Sequence, residues 1–139
     1  DSFRPFGEPP QQLEIGNGLD LGFIQGFHLP QDGYRWTKDR AQIRLYSATA
    51  MQTLVLELAS GRPARAPAPQ LEVLVNGRPI ATLEITQSWQ QYQIKLPDPV
   101  AGQVIIELRS PLFTPRSYDH TSGDARKLGI MVKAAELSN

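Results

Sequence analysis

The sequence predicts an all-β domain, an antiparallel β-sandwich of the jelly-roll type built from eight to ten short strands. Three observations lead there. Apolar and polar residues alternate with a period of two in run after run, as they do in a strand with one buried face. Turn formers recur at roughly ten-residue spacing, drawn from twelve prolines and eleven glycines in 139 residues. No segment sustains a helical period: Arg40–Met51 comes nearest, and there Ile43, Thr49 and the Ser47-Ala48-Thr49 cluster work against it. Two long loops favour a jelly roll over an up-and-down barrel, and no internal repeat is present.

Residues 1–12 read as an irregular lead-in, with Pro5, Pro9 and Pro10 breaking regular structure and Phe3 and Phe6 available to tuck onto the domain. Residues 13–139 read as one jelly-roll domain. Its first strands are expected at Leu13–Ile15 and Leu19–Ile24, split by the Gly16-Asn17-Gly18 turn. Gly26–Pro30 leads into a loop at Gln31–Gly33, followed by a strand near Ala41–Leu45. Leu54, Leu56 and Leu58 alternate with Val55, Glu57 and Ala59 in a half-buried strand. The proline-rich stretch 60–69 is a loop.

Leu71, Val73 and Val75 then face one way, and Asn76-Gly77 is a strong hairpin signal because both residues tolerate positive φ. Pro79, close behind, leaves the turn type open. The return strand is Ile80–Ile85. Tyr92, Ile94 and Leu96 alternate with Gln91, Gln93 and Lys95 until Pro97-Asp98-Pro99 ends the run. Val104, Ile106 and Leu108 form one more strand, and Pro111–Gly123 is the longest irregular stretch. The last strand is expected over Leu128–Leu137, where Gly129 marks a bulge or a close backbone approach.

The totals exclude several functions. Fourteen basic and fourteen acidic residues cancel, so the basic excess of a dedicated nucleic-acid binder is missing. Without cysteine there is no thiol catalysis and no cysteine-held zinc. No apolar run reaches the roughly 18–20 residues of a membrane-spanning helix. The first residue is Asp1, which reads as an excised or processed piece of a longer protein.

Three pieces carry a resemblance: "GYRWTKDRAQIRL", "VNGRPIATLEITQSWQQYQIKLP" and the closing "DARKLGIMV". The second, with the "LEVL" before it, resembles the galactose-binding-like jelly roll common among carbohydrate-binding modules and esterase accessory domains. In order and spacing, over roughly residues 20–137, the three together resemble a β-sandwich domain at the end of some large bacterial membrane glycosyltransferases. The resemblance implies a non-catalytic accessory domain. It would sit outside the cytoplasm, tethered to the membrane through its parent chain, with a carbohydrate or lipid-linked sugar and the parent's membrane domain as partners and no nucleic acid. It implies no cofactor, beyond the structural calcium that sugar-binding jelly rolls often carry.

Candidate binding residues follow from chemistry. Trp36, helped by Tyr34, can stack on the apolar face of a sugar ring, and Arg35 can donate to hydroxyls. The structural alternative has Trp36 capping the core and Arg35 paired with a carboxylate, Asp124 or Asp119, with Arg35–Asp124 the expected pair. Trp89, set among Gln87, Gln90, Gln91 and Gln93 near Tyr92, is a second candidate, or else a cover for the sandwich end. The loop Arg116-Ser117-Tyr118-Asp119-His120 combines a guanidinium, a phenol, a carboxylate and an imidazole, and is the favoured ligand loop.

Asp32, Asp39, Asp119 and Asp124 are the only grouping offered for calcium, and no motif spacing supports them. His28 and His120 lack the spacing of a zinc site. Ser117, His120 and Asp124 supply the residue types of a hydrolytic triad, which is defined by geometry rather than by spacing. No nucleophile elbow or phosphate loop is present. A small esterase or glycosidase, and a protein-interaction module without a sugar ligand, are the alternatives.

Overall fold

The computed structural model describes residues 8–139. Pro5, Phe3 and Phe6, named above in the lead-in, lie outside the described residues. The chain meets the domain by Pro10, whose carbonyl accepts the Tyr46 amide at 2.9 Å. Among the described residues seven strands form one antiparallel sheet: β1 Gln12–Glu14, β2 Ile24–Phe27, β3 Arg35–Ala59, β4 Gln70–Val75, β5 Arg78–Glu84, β6 Gln90–Arg109 and β7 Met131–Ser138. Their order is β1-β7-β3-β6-β4-β5, with β2 beside β3. The only helix among the described residues is a single 3-10 turn at Pro115–Ser117.

The sheet becomes a sandwich because β3 and β6 each contain two of the expected short strands run together. Arg40–Ser47 pairs with the second half of β6, while Thr53–Leu58 pairs with the first half of β6 and with β7. Between them the register slips at Met51, and the buried parity switches from Ala41, Ile43 and Leu45 to Leu54, Leu56 and Leu58. A bulge of this kind bends a strand. Buried residues of both halves then share one core with Val73, Ile106, Leu108, Ile94 and Val132.

Pro97-Asp98-Pro99 does not end a strand as expected. The two prolines fall in the slip between Val100–Met51 and Lys95–Thr53, where the ladder is already broken and a missing N–H is harmless. Asn76 (φ 50°) and Gly77 (φ 83°) form the two-residue type I′ hairpin between paired Val75 and Arg78. Pro79 is accommodated by a register shift on the strand that ends the sheet. Gly129 is a close approach: a Cβ there would lie 2.1 Å from the Thr37 hydroxyl.

The strand expected at Leu19–Ile24 is a loop, and β2 starts only at Ile24. The apolar side of its alternation faces outward. Asp20 is fully buried while Leu19 and Leu21 are exposed. Arg35 is the reason. Its Nε donates to Asp20 Oδ2 (2.8 Å), its Nη2 to Asp20 Oδ1 (3.1 Å) and its Nη1 to the His28 carbonyl (3.0 Å). Asp20 Oδ2 also accepts the Gly16 amide at 2.7 Å. This corrects the expected Arg35–Asp124 pair. Asp124 instead binds Arg126, and a buried cation needs a buried, fully bonded partner, which Asp20 is.

Candidate functional site

Three segments converge at one end of the sandwich. The first is the tight turn Gln31–Tyr34, closed by reciprocal backbone bonds of 2.8 and 3.1 Å with Asp32 and Gly33 both at positive φ. It leads directly into β3, so Tyr34 and Trp36 are held by a rigid strand end. The second is Ser60–Pro63. Gly61 (φ 61°) lies so close to the Trp36 ring that a Cβ would meet it at 2.6 Å. The third is the long loop 110–128, closed by two backbone bonds between Phe113 and Leu128 (2.9 and 2.8 Å).

The rings from these segments form a series. Trp89 meets Tyr34 edge-on at 5.5 Å, Tyr34 meets Trp36 at 6.4 Å, Trp36 meets Phe113 at 5.7 Å and Phe113 meets Tyr118 at 6.4 Å. Cations cover three of them: Lys133 over Trp89 (4.4 Å), Arg62 over Phe113 (4.7 Å) and Arg65 over Tyr118 (5.7 Å). Buried Arg62 donates to the carbonyls of Pro111 and Gly129, tying the long loop down, and burial draws its pKa below the usual guanidinium value. Trp36 is only 7% exposed. Tyr34 is half-buried, with Trp89 and Trp36 edge-on to it and no stacked cation among the described residues.

A pocket of about 280 Å³ opens here, with Tyr34, Trp36 and Phe113 as its aromatic wall and Gln31, Asp119, Ser122, Asp124 and Arg126 supplying polar groups. Arg126 grips Asp124 with two parallel bonds, Nε to Oδ1 at 2.9 Å and Nη2 to Oδ2 at 2.7 Å. That bond holds the Asp124 carboxyl below the ordinary carboxylate range. Asp119 is likewise lowered, first by the Thr121 hydroxyl, which donates to it at 2.6 Å. Burial, with Asp32 adding to it, raises the Tyr34 phenol. At neutral pH the pocket therefore offers two carboxylates as acceptors, a protonated phenol, an amide and guanidinium donors around an aromatic wall. That set matches a polyol: hydroxyls for the rim and a C–H face for the ring.

No family model matches the chain, and no curated protein matches it. Solved structures do. A family 35 carbohydrate-binding module from Clostridium thermocellum matches with a TM-score of 0.57 and 13% identity, over 92% of this chain and 98% of its own. A family 6 module from Clostridium cellulolyticum in complex with xylose gives 0.55 and 11%, over 94% and 98%. The module CBM36 in complex with calcium and xylotriose gives 0.53 and 16%, over 91% and 98%. The fold is the galactose-binding-like jelly roll.

Within this jelly roll the expected site residues divide. Tyr34, Trp36 and Asp119 line the pocket, and Trp89 touches it through Tyr34. Trp36 serves as wall rather than as an open stacking platform, because Tyr34, Phe113 and Gly61 crowd its ring. Tyr118 faces Phe113 and Arg65, while Arg116 and His120 are exposed outside the pocket. The sequence reading missed Gln31, Phe113, Ser122 and Arg126. Arg126 alone had left a signal, standing two residues from Asp124 in a stretch already singled out.

The four aspartates considered for calcium do not converge. Asp124 is engaged by Arg126 and Asp119 by Thr121, and no group of three or more His, Asp or Glu side chains gathers among the described residues. That arrangement does not supply the six to eight oxygens of a calcium cage. Nor does it assemble Ser117, His120 and Asp124 as a triad, because the Asp124 carboxylate orients Arg126 and no hydrogen bond joins the three among the described residues.

Proposed function

We propose that this domain binds carbohydrate, without catalysis, in the pocket between the Gln31–Tyr34 turn, Gly61 and the 110–128 loop. The carrying observation is the convergence of Tyr34 with the Asp124–Arg126 pair: a partly exposed ring beside a fixed donor–acceptor plane. A sugar ring stacks on Tyr34 while its hydroxyls bridge Arg126, Asp119 and Gln31. Two of the neighbouring structures carry xylose and xylotriose, which makes neutral pentose and hexose oligosaccharides the first ligands to try. The three sequence pieces noted above support a parent of the bacterial membrane glycosyltransferase kind. In that setting the domain acts outside the cytoplasm, holding a glycan or lipid-linked sugar near the parent's active site.

Titration calorimetry against a panel of neutral oligosaccharides, xylotriose included, tests the site. The expected result is binding that weakens about tenfold in Tyr34→Ala, by loss of stacking, and tenfold or more in Arg126→Ala, by loss of charged hydrogen bonds. His120→Ala, outside the pocket, leaves affinity unchanged. The burial of Trp36 is also what a purely structural module would show. A wild type that holds no sugar in the panel, or a Tyr34→Ala variant of full affinity, decides for that second reading.

A further inference from the structure

The Arg35 clamp does more than close the fold, because it dictates which side chains leave it. Asp20 must point inward to meet Arg35, so its neighbours Leu19 and Leu21 point outward, 78% and 63% exposed. The His28 carbonyl is drawn to the same guanidinium, and the next residue, Leu29, is 83% exposed. These three are the most exposed large apolar side chains among the described residues. They stand on two loops pinned to one buried ion pair, with the Asn17 side chain holding the Leu19 amide at 2.9 Å and a backbone bond of 2.9 Å closing Asp20–Phe23. Their exposure is thus enforced by structure.

Leu21 and Leu29 edge a groove of about 450 Å³ whose wall includes Ile24 and Phe27. Two basic side chains flank it: Lys38 lines it, and Arg44 reaches the Gly22 carbonyl, next to Leu21, at 2.6 Å. Of the carboxylates beside it, Asp20 is neutralised by Arg35, and Asp39 follows Lys38 in the chain. Rigid exposed leucines flanked by Lys38 and Arg44 match one occupant: a surface with hydrocarbon just below a layer of negative charge.

We propose that this face docks on an anionic lipid bilayer, with Leu19, Leu21 and Leu29 entering the acyl boundary and Lys38 and Arg44 meeting the headgroups. The face is separate from the sugar pocket, and the inference does not depend on that pocket's ligand. Co-sedimentation with vesicles of phosphatidylcholine and phosphatidylglycerol (3:1), compared with phosphatidylcholine alone, tests it on the whole chain. Wild type is expected to bind the anionic vesicles more tightly than the neutral ones. Each leucine replaced costs about tenfold, so Leu19→Ser/Leu21→Ser/Leu29→Ser abolishes measurable binding, and Lys38→Ala costs about fivefold on anionic vesicles. Because the leucines are exposed, the triple variant keeps the wild-type melting temperature.

Wild type left in the supernatant overturns the proposal. So does a triple variant that binds as well as wild type, or equal binding to both vesicle types. Self-association of the wild type in sedimentation velocity that the triple variant abolishes, without vesicle binding, also overturns it and assigns the face to a second copy.

Discussion

Removing the Asp20 carboxylate is the most informative perturbation of the fold. Asp20 and Arg35 are 0% and 4% exposed, and the pair makes two direct bonds. Asp20→Ala strands a buried guanidinium with only the His28 carbonyl and leaves the Gly16 amide without its acceptor. Breaking a buried pair from one side costs about 3–5 kcal/mol. For a domain of this size each kcal/mol lowers the melting temperature by about 3 °C, so a fall of about 10–15 °C is expected. Replacing both partners, Asp20→Ala/Arg35→Met, removes the stranded charge and recovers more than half of that loss. The exposed pair Arg78–Asp98, 63% and 77% exposed, is the control; Asp98→Ala costs less than about 1 kcal/mol. Urea unfolding of the wild type and the three variants measures these losses. An Asp20→Ala loss below about 1 kcal/mol, or a double variant worse than the single, refutes the reasoning.

Two glycines separate crowding from backbone strain. Gly129→Ala drives a Cβ to 2.1 Å from the Thr37 hydroxyl and is expected to cost more than about 2 kcal/mol, whereas Gly77→Ala, with open space around it, pays only for φ 83°, about 1 kcal/mol; equal losses in urea titrations would contradict the distinction. Asp124 carries a pH prediction. Its folded pKa is depressed by Arg126, so the pair's contribution is full above the ordinary carboxylate value of about 3.9 and fades only as pH falls through the lower folded value. Carboxyl-carbon NMR should place the Asp124 midpoint below that value, and a midpoint at or above it contradicts the clamp.

Much of the fold was legible because burial on one face leaves a period of two. Leu54–Leu58, Leu71–Val75 and Val104–Leu108 all point inward as the alternation requires, and Asn76-Gly77 makes the turn that its φ tolerance favours. Alternation fails where a polar side chain takes the inside position. Asp20 does so, and the Leu19–Ile24 segment, which alternates like a strand, is a loop until β2 begins at Ile24. Strand ends were obscured for a different reason: Pro97 and Pro99 signal a stop, but a proline inside a bulge breaks no ladder bond, so β6 runs through them.

The pocket was only half legible. Tyr34, Trp36 and Asp119 could be named from residue chemistry. Their companions Gln31, Phe113, Ser122 and Arg126 come from the Gln31–Tyr34 turn and the 110–128 loop, which are joined where Thr37 bonds Gly129 and Ile130, pairings with no local spacing. The loop 116–120 is dense in donors, but it spends Tyr118 on Arg65 and Phe113 and leaves Arg116 and His120 outside the pocket.

The central claim, that the pocket at the aromatic end holds sugar, is tested most directly by amide and indole NMR during titration with xylotriose and other neutral oligosaccharides. Shifts confined to Gln31–Trp36, Gly61–Pro63 and Phe113–Leu128, including the Trp36 indole and lost in Tyr34→Ala, are the predicted result. Saturable shifts elsewhere with these residues silent, or no shift with any sugar, would contradict it.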